Sequence, residues 1–118
     1  MALLTKDQIL AADDLKYEDV EVPEWGGTVR VKMMTGSMRD KYEGTLYEIR
    51  EKIQTVDNLR SRFLSFCLVG EDDKLMFAQA DILELGKKSS AALDRVFSVA
   101  STLNGTGIEG LEEAAQDL

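Results

Sequence analysis

Cys67 is the one thiol in this chain, and Glu71-Asp72-Asp73, just beyond it, is the densest run of carboxylates. A thiolate beside a base could carry acyl transfer, and clustered carboxylates could hold a cation. Neither has the partners its chemistry needs. There is no histidine, which removes the commonest general base and metal ligand. Cys67 lies within the apolar run Phe63 to Val69, where a buried structural thiol is expected rather than a nucleophile. A single cysteine builds neither a thiolate metal site nor an internal disulfide, and it fits a reducing compartment. The acidic run lacks the alternating oxygen ligands, glycine and terminal glutamate of a calcium loop, so it reads as a polar turn. Gly26-Gly27 sit in a hairpin loop, not in the strand-to-helix turn that cradles phosphate. No catalytic, cofactor or metal residue is assigned, and the chain reads as a non-enzyme.

The residues that could carry recognition are of another kind. Trp25 is the only tryptophan and lies beside two glycines, where it either folds onto the core or anchors a partner. Alternation along the following strand sends Met33 inward and Met34 outward. Trp25, Met34 and Tyr42 are therefore the candidate partner-binding residues. Methionine suits the task, because its flexible thioether adapts to a sequence-variable partner.

These side chains depend on a β-hairpin for their placement. Asp19-Val20-Glu21-Val22 and Val29-Arg30-Val31-Lys32 alternate apolar with charged and flank Pro23-Glu24-Trp25-Gly26-Gly27. The expected register opposes Val22 to Val29 and Val20 to Val31, with Glu21 facing Arg30 and Asp19 facing Lys32. Upstream, Thr5 with Gln8 forms a capping box for a short helix from Lys6 to about Ala12. Downstream, Thr35 or Ser37 caps a helix with Met38, Tyr42, Leu46, Ile49 and Ile53 on one face. A helix from Asp57 to about Val69 is apolar almost all round and belongs at the centre of the core. After a polar turn come a short helix at Ala80 to Leu85, stopped by Gly86, and an amphipathic helix capped by Ser89 or Ser90. The latter carries Leu93, Val96, Phe97, Ala100 and Leu103 on one face and closes at Asn104-Gly105.

The fold class is therefore mainly helical α+β, with an N-terminal hairpin packed on about four helices. The valine face has two possible seats, the 59–69 helix or the 93–103 helix. Residues 1–104 form one domain; 105–118 form an acidic, mobile tail with at most a nascent helix from Glu109 to Gln116. With 118 residues there is room for one core. No apolar run reaches bilayer length and no signal peptide is recognisable, which places the chain in the cytoplasm. A net charge of −8 argues against nucleic acid as the main partner. The charge is uneven: residues 1–24 carry −5, residues 25–62 carry +3, and residues 63–118 carry −6. The pattern is either ordinary helix surface with i,i+4 pairs, or a basic middle that meets the acidic end of another copy.

Leu4-Thr5 through Ile9-Leu10-Ala11, Val22-Pro23-Glu24-Trp25-Gly26-Gly27, Val29 and Val31, and Met34-Thr35-Gly36 with Arg39-Asp40 and Tyr42-Glu43 together carry a resemblance. So do Arg60 through Val69, Glu71-Asp72, Leu75 to Phe77, Asp81, and Ser89 through Leu103. The chain resembles the tail assembly chaperones of long non-contractile-tailed bacteriophages, over nearly its whole length to about Gly105. That resemblance implies a non-enzymatic homo-oligomer without cofactors, working in the host cell cytoplasm without membrane or nucleic acid. It implies that the chain keeps the tape-measure protein soluble during tail morphogenesis and is absent from the finished virion. By the same resemblance the chain corresponds to a short form, whose frameshifted long form recruits tail tube protein. The alternatives are a small phage connector retained in the virion, and an acidic regulator that binds a host protein.

Overall fold

Pro23 fixes φ at the first position of a reversal, and Gly26 supplies the left-handed residue that ends it. In the computed structural model, which describes residues 2–51 and 58–105, these two residues bracket a single 3₁₀ turn, Pro23–Trp25. Gly26 stands at φ 76° and its N–H donates to the Pro23 carbonyl at 3.0 Å. The turn joins β1 (Tyr17–Val22) to β2 (Gly27–Lys32) as an antiparallel hairpin.

The register differs from the expected one by two residues. Val20 opposes Val29, Val22 opposes Gly27, and Asp19 opposes Arg30. A four-residue reversal in place of the longer loop expected from sequence slides β2 by two residues against β1. Because the side-chain period is two, the shift preserves both faces. Val20, Val22 and Val31 are still buried together. On the other face Arg30 forks onto Asp19, Nε to Oδ1 at 2.7 Å and Nη2 to Oδ2 at 3.1 Å, and stacks over Tyr17 at 4.2 Å. Lys32 is thereby free to reach Asp73, at 2.5 Å.

Upstream of the hairpin lies α1 (Lys6–Ala11), with the Thr5/Gln8 capping box formed as the sequence implies. After it, α2 (Gly36–Glu51) is capped by Thr35, whose Oγ1 accepts from the Met38 N–H at 3.1 Å. The expected Asp57 start and Ile53 fall outside the described residues. The central helix α3 runs only Leu59–Ser65, and the chain then extends into β3, Leu68–Val69. This corrects the expected helix to Val69. β3 adds to β2 with Arg30 opposite Val69 and Val31 opposite Leu68, giving a three-stranded antiparallel sheet in the order β1-β2-β3. Two-stranded hairpins are marginal alone, and this third strand with the packed helix supplies what a lone pair lacks.

Gly70 to Lys74 form the polar turn, with Asp73 in the left-handed region at φ 64° and the Gly70 N–H bonded to the Lys74 carbonyl. A 3₁₀ turn at Gln79–Asp81 leads into α4 (Ile82–Leu85), ended by Gly86. Ser89 caps α5 (Ser90–Leu103) by accepting from the Ala92 N–H at 3.3 Å. Its buried face contains Leu93, Val96, Phe97 and Ala100. The hairpin packs on α5, and α3 packs on α5 from another side. Phe63 stands edge-on to both Tyr42 and Phe97, each ring pair 5.2 Å apart, so one aromatic ladder ties α2, α3 and α5.

Candidate functional site

The turn Val22 to Gly27 is a clip between the hairpin and α5. Pro23 starts it, Glu24 accepts a hydrogen bond from Arg95 of α5, and Trp25 lies half-buried against the core. The Arg95 bond holds the Glu24 carboxyl below its ordinary pKa, and Arg30 does the same to Asp19. The far end of the hairpin is fastened too. Asn104, the C-cap of α5, accepts the Met34 N–H on Oδ1 at 2.8 Å, while its Nδ2 donates to the Ala100 carbonyl at 2.8 Å and to Cys67 Sγ at 3.6 Å.

This fastening reverses the expectation for Met34. The ladder ends at Lys32, and the next N–H groups go to Lys16 and Asn104, so the strand's alternation slips by one. Met34 is turned into the core, and Met33 is the half-exposed one. Tyr42 is buried as well, its hydroxyl without a hydrogen-bond partner among the described residues, and burial raises its pKa. The three candidate residues therefore do not form one exposed patch; Trp25 alone keeps accessible surface. Cys67 is fully buried, and burial pushes its thiol up to about 12. Burial of this kind is the setting of a structural thiol.

Exposed apolar surface lies elsewhere. Residues 2–14 are exposed throughout, and within them Leu3 is 94%, Leu4 69%, Ile9 57% and Leu10 73% exposed. Where this segment joins the sheet, Leu15, Met33, Met38, Phe66 and Leu75 line an open groove of about 190 Å³, bordered by the Lys32–Asp73 pair. Val69 forms part of its floor and also lines a second cleft with Val29, Arg30 and Met76. Single exposed leucines are ordinary, but Leu3, Leu4, Ile9 and Leu10 put four large exposed apolar side chains within residues 3–10. No three His, Cys, Asp or Glu side chains converge to hold a metal among the described residues. No described helix is long and apolar enough to cross a membrane.

No protein-family model matches the sequence, and no curated protein matches it. The structure, however, superposes on that of the tail assembly chaperone of bacteriophage HK97 with a TM-score of 0.56. The superposition covers 82% of this chain and 90% of that one, at 17% sequence identity. The chain has the tail assembly chaperone fold.

Two of the stretches that carried the resemblance are joints of this fold. Val-Pro-Glu-Trp-Gly-Gly makes the turn and clips it to α5; Met34-Thr35-Gly36 receives Asn104 and caps α2. The exposed apolar surface of this domain was not legible in the same way. The capping box of Thr5 and Gln8 marks a short helix without saying what its apolar residues touch, and a helix of six residues offers too little area to hold itself in place. The groove joins residues 15, 33, 38, 66 and 75, which no local spacing brings together.

Proposed function

We propose that this chain is a non-enzymatic tail assembly chaperone that binds and solubilises the tape-measure protein of a long, non-contractile phage tail. The fold shared with the HK97 chaperone over most of both chains is the observation that carries this reading. The physical task suits the surface. A long amphipathic helix exposes more apolar area than stays soluble, and many small subunits cover it through repeated weak contacts. A subunit with net charge −8 keeps such a complex dispersed. Trp25 supplies direct contact at the hairpin turn, with Met34 and Tyr42 setting the hairpin and α2 behind it. The chain acts as a homo-oligomer in the host cytoplasm and leaves before the virion is complete, and tail tube protein is reached through a frameshifted long form of the same domain.

Co-expression of the chain with its phage's tape-measure protein tests this. The expected result is a soluble tape measure that copurifies in a high-mass complex, with the chain missing from purified virions by mass spectrometry. An insoluble tape measure beside folded chain, with and without the long form, overturns the reading. Retention in the virion would make the chain a connector.

A further inference from the structure

We infer that α1 of one copy seats in the groove of Leu15, Met33, Met38, Phe66 and Leu75 on a second copy, so that subunits join by exchanging their N-terminal helices. The inference rests on the multi-copy coat proposed above and names the contact that builds it.

The first argument is that α1 is formed but has no seat of its own. Its capping box is complete, and Leu4 and Ile9 hold the N′ and N4 positions of a hydrophobic staple, yet all of residues 2–14 are exposed. Six residues do not sustain a helix by propensity, so this one is made to be covered.

The second argument concerns which groove it reaches. Leu15 lines the groove, and the Lys16 carbonyl accepts the Met33 N–H at 2.9 Å, so the chain is pinned at the groove's edge. Only Ala12 to Asp14 separate α1 from that anchor, and Ala12 is extended, at ψ 132°. Three extended residues span about 10 Å. None of residues 2–14 lines that groove, so α1 does not cover the groove of its own chain. Hinges of this kind favour exchange between copies over closure within one.

Charge selects the same occupant. Asp7, Asp13 and Asp14 border the apolar residues of α1, and none is in an ion pair among the described residues. On the receiving side, Lys41 lies three residues along α2 from Met38, on the same face, and is likewise unpaired among the described residues. An acidic, leucine-bearing segment thus meets an apolar groove beside a free cation, and one chain carries both. Because giver and receiver are different patches, the contact is head-to-tail, and it propagates until it closes on itself.

The test uses the purified full chain without tape-measure protein. In sedimentation velocity over a wide concentration range, the wild type gives species growing beyond the dimer. Ile9→Glu with Leu10→Glu removes the giver, and Leu75→Glu, at a side chain 40% exposed, removes the receiver. Each variant alone weakens association by about 100-fold or more. Mixed in equal amounts, the two form a complex that stops at two chains, since one intact helix and one intact groove remain. Should Leu75→Glu lose its cooperative unfolding transition, Met33→Glu replaces it.

A wild type that stays monomeric, a helix variant that associates like wild type, or a mixture of folded variants that stays monomeric each overturns the exchange. So does a helix variant that loses the tape measure but keeps self-association, which would give α1 to that partner. The assay and the co-expression experiment fail independently, because the first contains no tape measure and the second scores solubility.

Discussion

Replacing Asn104 by alanine should be among the most damaging single changes to this fold outside its apolar core, and the reason can be counted bond by bond. The Asn104 amide makes three contacts: the Met34 N–H to Oδ1 at 2.8 Å, Nδ2 to the Ala100 carbonyl at 2.8 Å, and Nδ2 to Cys67 Sγ at 3.6 Å. Met34 is buried, so losing Oδ1 strands its N–H, at about 1–3 kcal/mol. The Ala100 carbonyl still accepts the Asn104 backbone N–H at 3.0 Å, so its second bond is worth only the net value of about 0.5–1.5 kcal/mol. The contact to sulfur is weak and adds little. The expected loss is about 2–4 kcal/mol, which lowers Tm by roughly 10 °C for a domain of this size. Urea unfolding should show a lower midpoint with an unchanged slope. Hydrogen exchange should show the Met34 amide losing protection while the Val22 and Val31 amides keep theirs relative to global unfolding. A loss below about 0.5 kcal/mol, or a Met34 amide as protected as before, would refute the claim that this side chain fastens the hairpin to α5.

Two further outcomes follow from the turn and from the buried ionisable groups. Gly26→Ala should cost about 1–2 kcal/mol, because Gly26 stands at φ 76° with open space around an added Cβ, so the penalty is purely conformational. Gly27→Ala, with equally open space and no left-handed requirement, should stay within about 0.5 kcal/mol of wild type; equal effects at the two sites in urea unfolding would contradict the turn geometry. Burial raises the Cys67 thiol from 9.0 to about 12 and raises Tyr42 as well. For groups raised in the folded state, stability is fully present below the unfolded pKa and is lost as pH climbs toward the folded one. Unfolding free energy should hold steady from neutral pH up to about pH 9 and then fall, each group contributing up to about 1.4 kcal/mol per pH unit. Cys67→Ala should shallow that alkaline slope by about one proton, and an unaltered slope would count against the buried neutral thiol.

The fold was legible wherever a short sequence window contains its own physics. Thr5 with Gln8, Thr35 and Ser89 mark helix starts through bonds that span three residues, and all three act as their types dictate. The hairpin's two faces were legible for the same reason, since alternation is local. Its register was not, because shifts of two residues leave the alternation intact and only the turn decides between them. Pro23 and Gly26 contained that information, in a 3₁₀ reversal tighter than the loop their neighbours suggested. β3 was hidden by a different cause. Leu68-Val69 follows a helical run so apolar that helix and strand look alike in sequence, and its identity comes from pairing with Arg30 and Val31, far back in the chain.

The same distinction separates the candidate residues from the surface the structure presents. Strand alternation points Met34 outward, but large apolar residues that can reach the core are drawn into it, as Met34 and Tyr42 are. Met34 gets there through a bond to Asn104, seventy positions away. Residues 2–14 are in the opposite position: they precede the sheet, and the core closes among the hairpin, α2, α3, α4 and α5 without them. Stability of the subunit and exposure of Leu3, Leu4, Ile9 and Leu10 are therefore uncoupled. A chain built this way does not need α1 to close its core, so charges placed on α1 should leave the unfolding midpoint of the isolated subunit where it was and, on the exchange inferred above, abolish association.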